Sequence, residues 1–254
     1  MHTVLTIAGS DSSGRAGIQA DLRTFAALDV HGRTAITAVT AQNATGVSAI
    51  VPLPADIVGA QIEAAAADGA IGATKVGMLA NAAIAEAVAA AIEDFDLPLV
   101  VLDPVLAASS GTRLLDADGV QALISGLLPL ALVVTPNLPE AEALSGRRIH
   151  SMHDVHEAAR RLHDMGAENV IVKGGHASED SGLRAQGSGA EVIDVLFDGK
   201  HFHESRVARV DGARVGGTGC SFASAVAAFL ARGHALPDAA ARAQQHVAGI
   251  IARY

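Results

Sequence analysis

Gly216-Gly217-Thr218-Gly219-Cys220 stands directly before the apolar run 221–230, an order of residues that describes a glycine-rich turn opening a buried helix. The first backbone N–H groups of a helix have no partner inside it and lie at the positive end of its dipole. Glycines let an anion approach them with no Cβ in the way, so a phosphate is the natural ligand of such a turn. A thiol at that end is expected to ionise more readily than an ordinary cysteine. The same residues also suit a glycine-capped core helix in which Cys220 is a small buried apolar side chain.

Further polar residues follow short apolar runs: Gly9-Ser10-Asp11-Ser12-Ser13-Gly14 after Ala8, Gln42-Asn43 after Ala41, Gly77-Met78 after Val76, Asp103-Pro104-Val105 after Leu102, Thr135-Pro136-Asn137 after Val134, and Lys173-Gly174-Gly175 after Val172. Asp103 and Glu140 are hard oxygen donors of the kind that hold Mg²⁺ beside phosphates. Alternatively, Glu140 is a first-turn carboxylate favoured by a helix dipole, and Asp103 is a residue restricted by Pro104. Lys173 offers a point charge for phosphate in a chain that prefers arginine, or it is a solvated strand-end lysine. His150, His153 and His156 recur every third residue. They lead into an amphipathic helix, mostly on its polar side, and no cysteine or carboxylate completes a ligand set, so they are not read as a metal site.

The elements that must position these groups are legible as an alternation. Residues 3–8, 34–41, 73–76, 99–103, 132–135 and 170–173 read as strands, and 16–28, 56–67, 81–93, 117–127, 139–144 and 154–165 as helices. Such alternation implies an α/β fold with a parallel sheet covered on both faces, and ligands in such folds bind beyond the carboxyl ends of the strands. Residues 192–197 and 201–203, joined at Asp198-Gly199, carry a hairpin signal. Residues 177–190 are rich in glycine and serine and are expected to form a flap that orders over the bound substrates.

With 254 residues of which 50% are hydrophobic, the chain can bury one large core, and a single domain over 1–254 is expected. A net charge of −9 and 3% aromatic residues disfavour nucleic acid and anionic membranes as partners. The single cysteine excludes an internal disulfide and suits a reducing compartment. The opening residues lack the basic start and the length of a signal peptide, and the longest apolar helix is too short for a bilayer, so a soluble cytoplasmic protein is expected.

As a set, the segment Ala8 to Asp21, Gln42-Asn43, Lys75-Val76-Gly77-Met78-Leu79, Asp103-Pro104-Val105, Thr135-Pro136-Asn137-Leu138-Pro139-Glu140-Ala141, Val172-Lys173-Gly174-Gly175-His176 and Gly217-Thr218-Gly219-Cys220 strongly resembles the hydroxymethylpyrimidine and phosphomethylpyrimidine kinases of thiamine biosynthesis, in the ribokinase-like superfamily. The match runs in order over nearly the whole chain. The resemblance implies a ribokinase-like fold, ATP with Mg²⁺, and phosphoryl transfer to the hydroxymethyl group of a pyrimidine and then to the resulting monophosphate. It implies a pyrimidine pocket of Gly9, Asp21, Gln42, Met78 and Val105, and Gln42 suits an aminopyrimidine edge because its amide both donates and accepts. It places Asp103 and Glu140 with the metal, and Lys173, Thr218 and Gly219 with the nucleotide phosphates. The anion hole would be Gly217, Gly219 and Cys220, with Cys220 where sugar kinases of the superfamily have an aspartate base. A homodimer is expected.

Two positions depart from the family. Val215-Gly216 stands where Thr-His is frequent, and Ser109 where lysine is usual. Both changes remove polar or basic groups near a phosphate, which bears on the second phosphorylation. Two rival readings remain: a pyridoxal kinase of the cysteine-bearing type in the same superfamily, and a pyrimidine-binding protein without catalysis.

Overall fold

The computed structural model describes residues 2–176, 191–210 and 215–253, and the segment expected to be a flap lies outside them. The described residues build a sheet of nine strands: β1 (Thr3–Asp11), β2 (His31–Asn43), β3 (Gly46–Pro52), β4 (Ala73–Val76), β5 (Val100–Leu102), β6 (Val133–Val134), β7 (Asn169–Val172), β8 (Glu191–Phe197) and β9 (Phe202–Ala208). Their order is β3-β2-β1-β4-β5-β6-β7-β8-β9. The six central strands are parallel, with Val4 opposite Ala73, Thr74 opposite Val100 and Val101 opposite Val133. β3 at one edge and β8 at the other run antiparallel to their inner neighbours, and β9 pairs antiparallel with β8.

Eight α-helices cover the sheet among the described residues: α1 (Gly17–Ala27), α2 (Ala55–Ala67), α3 (Ala82–Asp94), α4 (Ala117–Ala122), α5 (Leu138–Ser145), α6 (Met152–Asp164), α7 (Thr218–Ala231) and α8 (Leu236–Ile251). Side-chain alternation in the strands divides the core. Leu5, Ile7, Val100, Leu102, Val170 and Val172 face the layer of α2, α3, α5 and α6. Val4, Val101, Val133 and Ile171 face α7 and α8, with Phe25 of α1. A strand buried on both faces reads as a continuous apolar run, as Val170-Ile171-Val172 does.

The sequence reading is corrected at several boundaries. β3 and α8 were not anticipated: β3 is an edge strand with mostly exposed residues, and α8 carries its buried Ala239, Ala240 and Ala243 on one narrow stripe. The expected strand 99–103 shortens to three residues because Leu99 takes a positive φ of 46° and Asp103 precedes proline. The expected helix 117–127 is α-helical only to Ala122 and continues as a π turn over Leu123–Leu127. β9 is longer than the expected 201–203.

Candidate active site

Four chain segments deliver polar side chains to the carboxyl edge of the parallel strands. Asp103 directly follows β5, its N–H bonding to Val76 O at 2.8 Å. Lys173 directly follows β7, its N–H bonding to Pro136 O at 2.9 Å. The two side chains form an ion pair, Lys173 Nζ to Asp103 Oδ1 at 2.9 Å, with both residues buried. Lys173 is therefore not a solvated strand-end lysine. Burial opposes its charge, but Asp103 and then Glu140 offset this and leave its ammonium above the ordinary range.

Glu140 enters through a capping box. Asn137 Oδ1 accepts from the Glu140 N–H at 2.9 Å, and Glu140 Oε2 accepts from the Asn137 N–H at 2.8 Å, which satisfies two donors at the start of α5. Thr-Pro-Asn-Leu-Pro-Glu thus encodes a helix start that aims a carboxylate inward. Burial pushes Glu140 up to about 7; Lys173 pulls it down, and the nearby Asp103 pushes it further up. Two carboxylates and one ammonium leave the pocket short of positive charge. That donor set suits Mg²⁺, which is commonly held by one or two carboxylates with substrate phosphates and water.

α7 begins above this cluster. Gly217 is its N-cap, with φ 79°, and a methyl group there would run into the Arg15 carbonyl oxygen, so both conformation and space demand glycine. A methyl group on Gly219 would lie 3.4 Å from Lys173 Nζ and 4.0 Å from Asp103 Oδ2. The N–H groups of Thr218, Gly219 and Cys220, which have no partner inside the helix, therefore open beside the ion pair, which is the arrangement a phosphate requires.

Cys220 overturns one expectation. Helix position and glycine-rich context suggested an easily ionised thiol, but burial pushes it up to about 11; Lys75 pulls it down, Asp103 and Asp21 push it up, and the Gly17 N–H donating to it pulls it down. Desolvation is the largest of these effects.

On the neighbouring side, Met78 is buried with Ala38 and Leu114, and Val105, Val47 and Ile50 pack against them. A methyl group on Gly9 would come within 2.9 Å of Met78 Sδ. Gly9, Met78 and Val105 thus share one apolar wall, extended by β3 residues that the sequence did not reveal. Gln42, on β2, is tied to the turn after β1: its N–H donates to Ser12 Oγ at 2.9 Å and its Nε2 reaches Asp11 Oδ2 at 3.5 Å. Asp11 organises that turn by accepting from the Ala16 N–H at 2.8 Å and the Ser13 N–H at 2.8 Å.

Asp21 is corrected from a pocket contact to a buried support. It is completely buried, and its carboxylate accepts from Thr6 Oγ1 at 2.6 Å, Lys75 Nζ at 2.9 Å and Ser224 Oγ at 2.7 Å. No surface remains for a ligand. Lys75 and Ser224 were missed as the partners that bury Asp21. The signal was present in a lysine inside the short apolar strand Ala73-Thr74-Lys75-Val76, since lysine is almost never fully buried unless paired.

A family model described as phosphomethylpyrimidine kinase matches residues 11–254. The chain is 46% identical over 248 residues to the hydroxymethylpyrimidine/phosphomethylpyrimidine kinase of Haemophilus influenzae, covering 98% of this chain and 90% of that protein. It is 45% identical over 249 residues to a thiamine biosynthesis bifunctional protein of Geobacter sulfurreducens, covering 98% of this chain and 49% of that longer protein. Among solved structures, the pyridoxal kinase of Staphylococcus aureus in complex with AMP-PCP and pyridoxal superposes with a TM-score of 0.86 at 37% identity, over 99% of this chain and 88% of that one.

Proposed function

The chain belongs to the phosphomethylpyrimidine kinase family, and from that premise we propose that it transfers the γ-phosphoryl group of ATP to 4-amino-5-hydroxymethyl-2-methylpyrimidine and then to its monophosphate. The observation that carries this reading is the convergence of the Lys173–Asp103 ion pair, Glu140 and the open N-terminus of α7 next to the apolar wall of Gly9, Met78 and Val105.

Phosphoryl transfer is mostly positioning and electrostatics. The pyrimidine lies on the Met78–Val105 wall, with Gln42 answering its amino edge. Thr218, Gly219 and Lys173 hold the nucleotide phosphates, and the N–H groups of Gly217, Gly219 and Cys220 stabilise negative charge on the transferring group. Asp103 and Glu140 would hold Mg²⁺, which would neutralise phosphate charge. Cys220 takes the proton of the hydroxymethyl group as its oxygen bonds to phosphorus and the bond to the ADP oxygen breaks. Asp103, Glu140, Lys173 and Cys220 together favour an enzyme over a pure binder, which has no need of them. The protein works as one domain, in the cytoplasm and as a homodimer. Among the described residues no helix is long and apolar enough to cross a membrane. Support for the dimer comes from Val39 and Val51, cross-strand partners that are 47% and 60% exposed.

The likeness to a pyridoxal kinase at 37% identity favours pyridoxal as a second substrate, since both ligands are hydroxymethyl-bearing aromatic heterocycles. A coupled assay of ADP release with hydroxymethylpyrimidine, its monophosphate and pyridoxal tests both readings. Turnover of the pyrimidine and its monophosphate is expected to exceed that of pyridoxal; turnover of pyridoxal alone would reverse the assignment.

A further inference from the structure

Only three lysines occur in the chain, and two of them, Lys75 and Lys173, are buried. Lys173 has a place in the proposed phosphate site. Lys75 is the other, and nothing in that site uses it. It is 0% exposed, on a central strand where an apolar residue would cost nothing to bury, and a buried charge is retained only with full compensation.

The compensation points in one direction. Lys75 and Gly77 share a face of the chain as it leaves β4, and a methyl group on Gly77 would lie 2.5 Å from Lys75 Nζ. The side chain therefore leans along the strand to the carboxyl edge, into space that Gly77 leaves open. There Asp21 of α1 receives it at 2.9 Å. Ser224, which fixes the other Asp21 oxygen at 2.7 Å, lies one turn along α7 from Cys220, on the same face. The clamp thus sits directly beneath the first turn of α7. Burial works against the Lys75 charge, yet Asp21 and then Cys220 and Asp103 offset it and hold the ammonium above its ordinary range.

Resting on the kinase reading, we propose that Lys75 is a positioning residue for Cys220: its ammonium, clamped by Asp21, supplies from below the positive charge that favours the sulfur as an anion able to accept the substrate's hydroxyl proton. The proton passes from the hydroxymethyl oxygen to the sulfur, the oxygen bonds to phosphorus, and the electron pair of the broken bond leaves on ADP. The groups near enough to act on the charge of Cys220 are Lys75 from β4, Asp21 and the Gly17 N–H from α1, Asp103 after β5 and Lys173 after β7. Lys75 is the first of them to oppose the effect of burial. Asp21 is double-edged, since it holds Lys75 in place while its own charge disfavours the thiolate.

The test uses the single cysteine, whose alkylation by iodoacetamide as a function of pH reports the thiolate without any substrate. K75M/D21N removes both charges and leaves no buried ion uncompensated, whereas D21N alone would strip the buried Lys75 ammonium of its carboxylate and favour its neutral form, so the double variant is compared with the parent protein; loss of the Asp21 charge by itself works toward the thiolate, against the expected shift. The alkylation midpoint of K75M/D21N is expected to lie above that of the parent protein by up to about one pH unit, the size of shift one nearby charge produces. Its kcat is expected to fall at least about tenfold with the KM for ATP within about twofold, as loss of a transition-state interaction requires. Equal midpoints in the folded proteins overturn the proposal. Alkylation stays interpretable even if the coupled assay finds no pyrimidine turnover, so the two failures are distinguishable.

Discussion

At the scale of single residues, Glu140 couples stability to pH against the direction of the proposed activity. Its carboxyl titrates at about 7 in the folded protein against about 4.3 in an unfolded chain. The folded state therefore binds this proton more tightly, so the group adds stability as pH falls from 7 toward 4.5 and loses it on deprotonation above 7. Cation holding needs the ionised form and weakens over that same fall. Glu140→Gln keeps the acceptor that completes the Asn137 cap. The metal-free variant is expected to melt higher than the parent at pH 8 and by a much smaller margin at pH 5, while its Mg²⁺-dependent turnover drops; an unchanged melting temperature at pH 8 would place Glu140 in a solvated setting. Cys220→Ser addresses the proton instead. A positioned base contributes about 10²–10⁴-fold, so kcat is expected to fall about a hundredfold while ATP affinity, measured by calorimetry, stays within about twofold. Parent-like turnover would reduce the cysteine to a packing residue.

At the scale of elements, the site depends on how α7 docks. Its N-cap Gly217 abuts the Arg15 carbonyl oxygen in the turn before α1, so the anion hole and the turn that carries Gln42's partners are one contact. Gly146, the C-cap of α5, has a similar φ of 69° with nothing near its missing methyl group. Gly146→Ala therefore measures the conformational cost alone, about 1–2 kcal/mol for an L-residue in the left-handed region. Gly217→Ala adds a collision and is expected to lower the melting temperature further and to raise the KM for ATP. Similar melting losses with unaltered ATP kinetics would show that α7 and the turn adjust independently.

At the scale of the whole molecule, the two apolar layers share one sheet, and the parallel centre is sealed by antiparallel strands at both edges. β3 leaves Val51 60% exposed beside Val39 at 47%, with Ile57 of α2 at 48%. An uncovered edge strand bearing apolar residues invites pairing with another copy. Val51→Lys is expected to convert a dimer to a monomer in light scattering with the melting transition of the monomer intact. A parent protein that is already monomeric would remove β3 from any interface.

The sequence by itself determined the α/β alternation, the helix from Pro139 with Glu140 in its first turn and the glycine turn before Cys220, because these rest on local physics: apolar runs, first-turn charges and backbone that only glycine adopts. It also carried the family, since the motifs stand in order along the chain. Tertiary structure alone decided what the polar residues do to one another. Asp21 and Lys75 are 54 positions apart and Asp103 and Lys173 are 70 apart, so neither pairing leaves a local trace. The Cys220 thiol shows the same division. Its place at a helix start is readable from neighbours in the chain, whereas its titration is set by burial and by charges arriving from β4, α1 and the end of β5, and desolvation in a folded interior has no sequence signature.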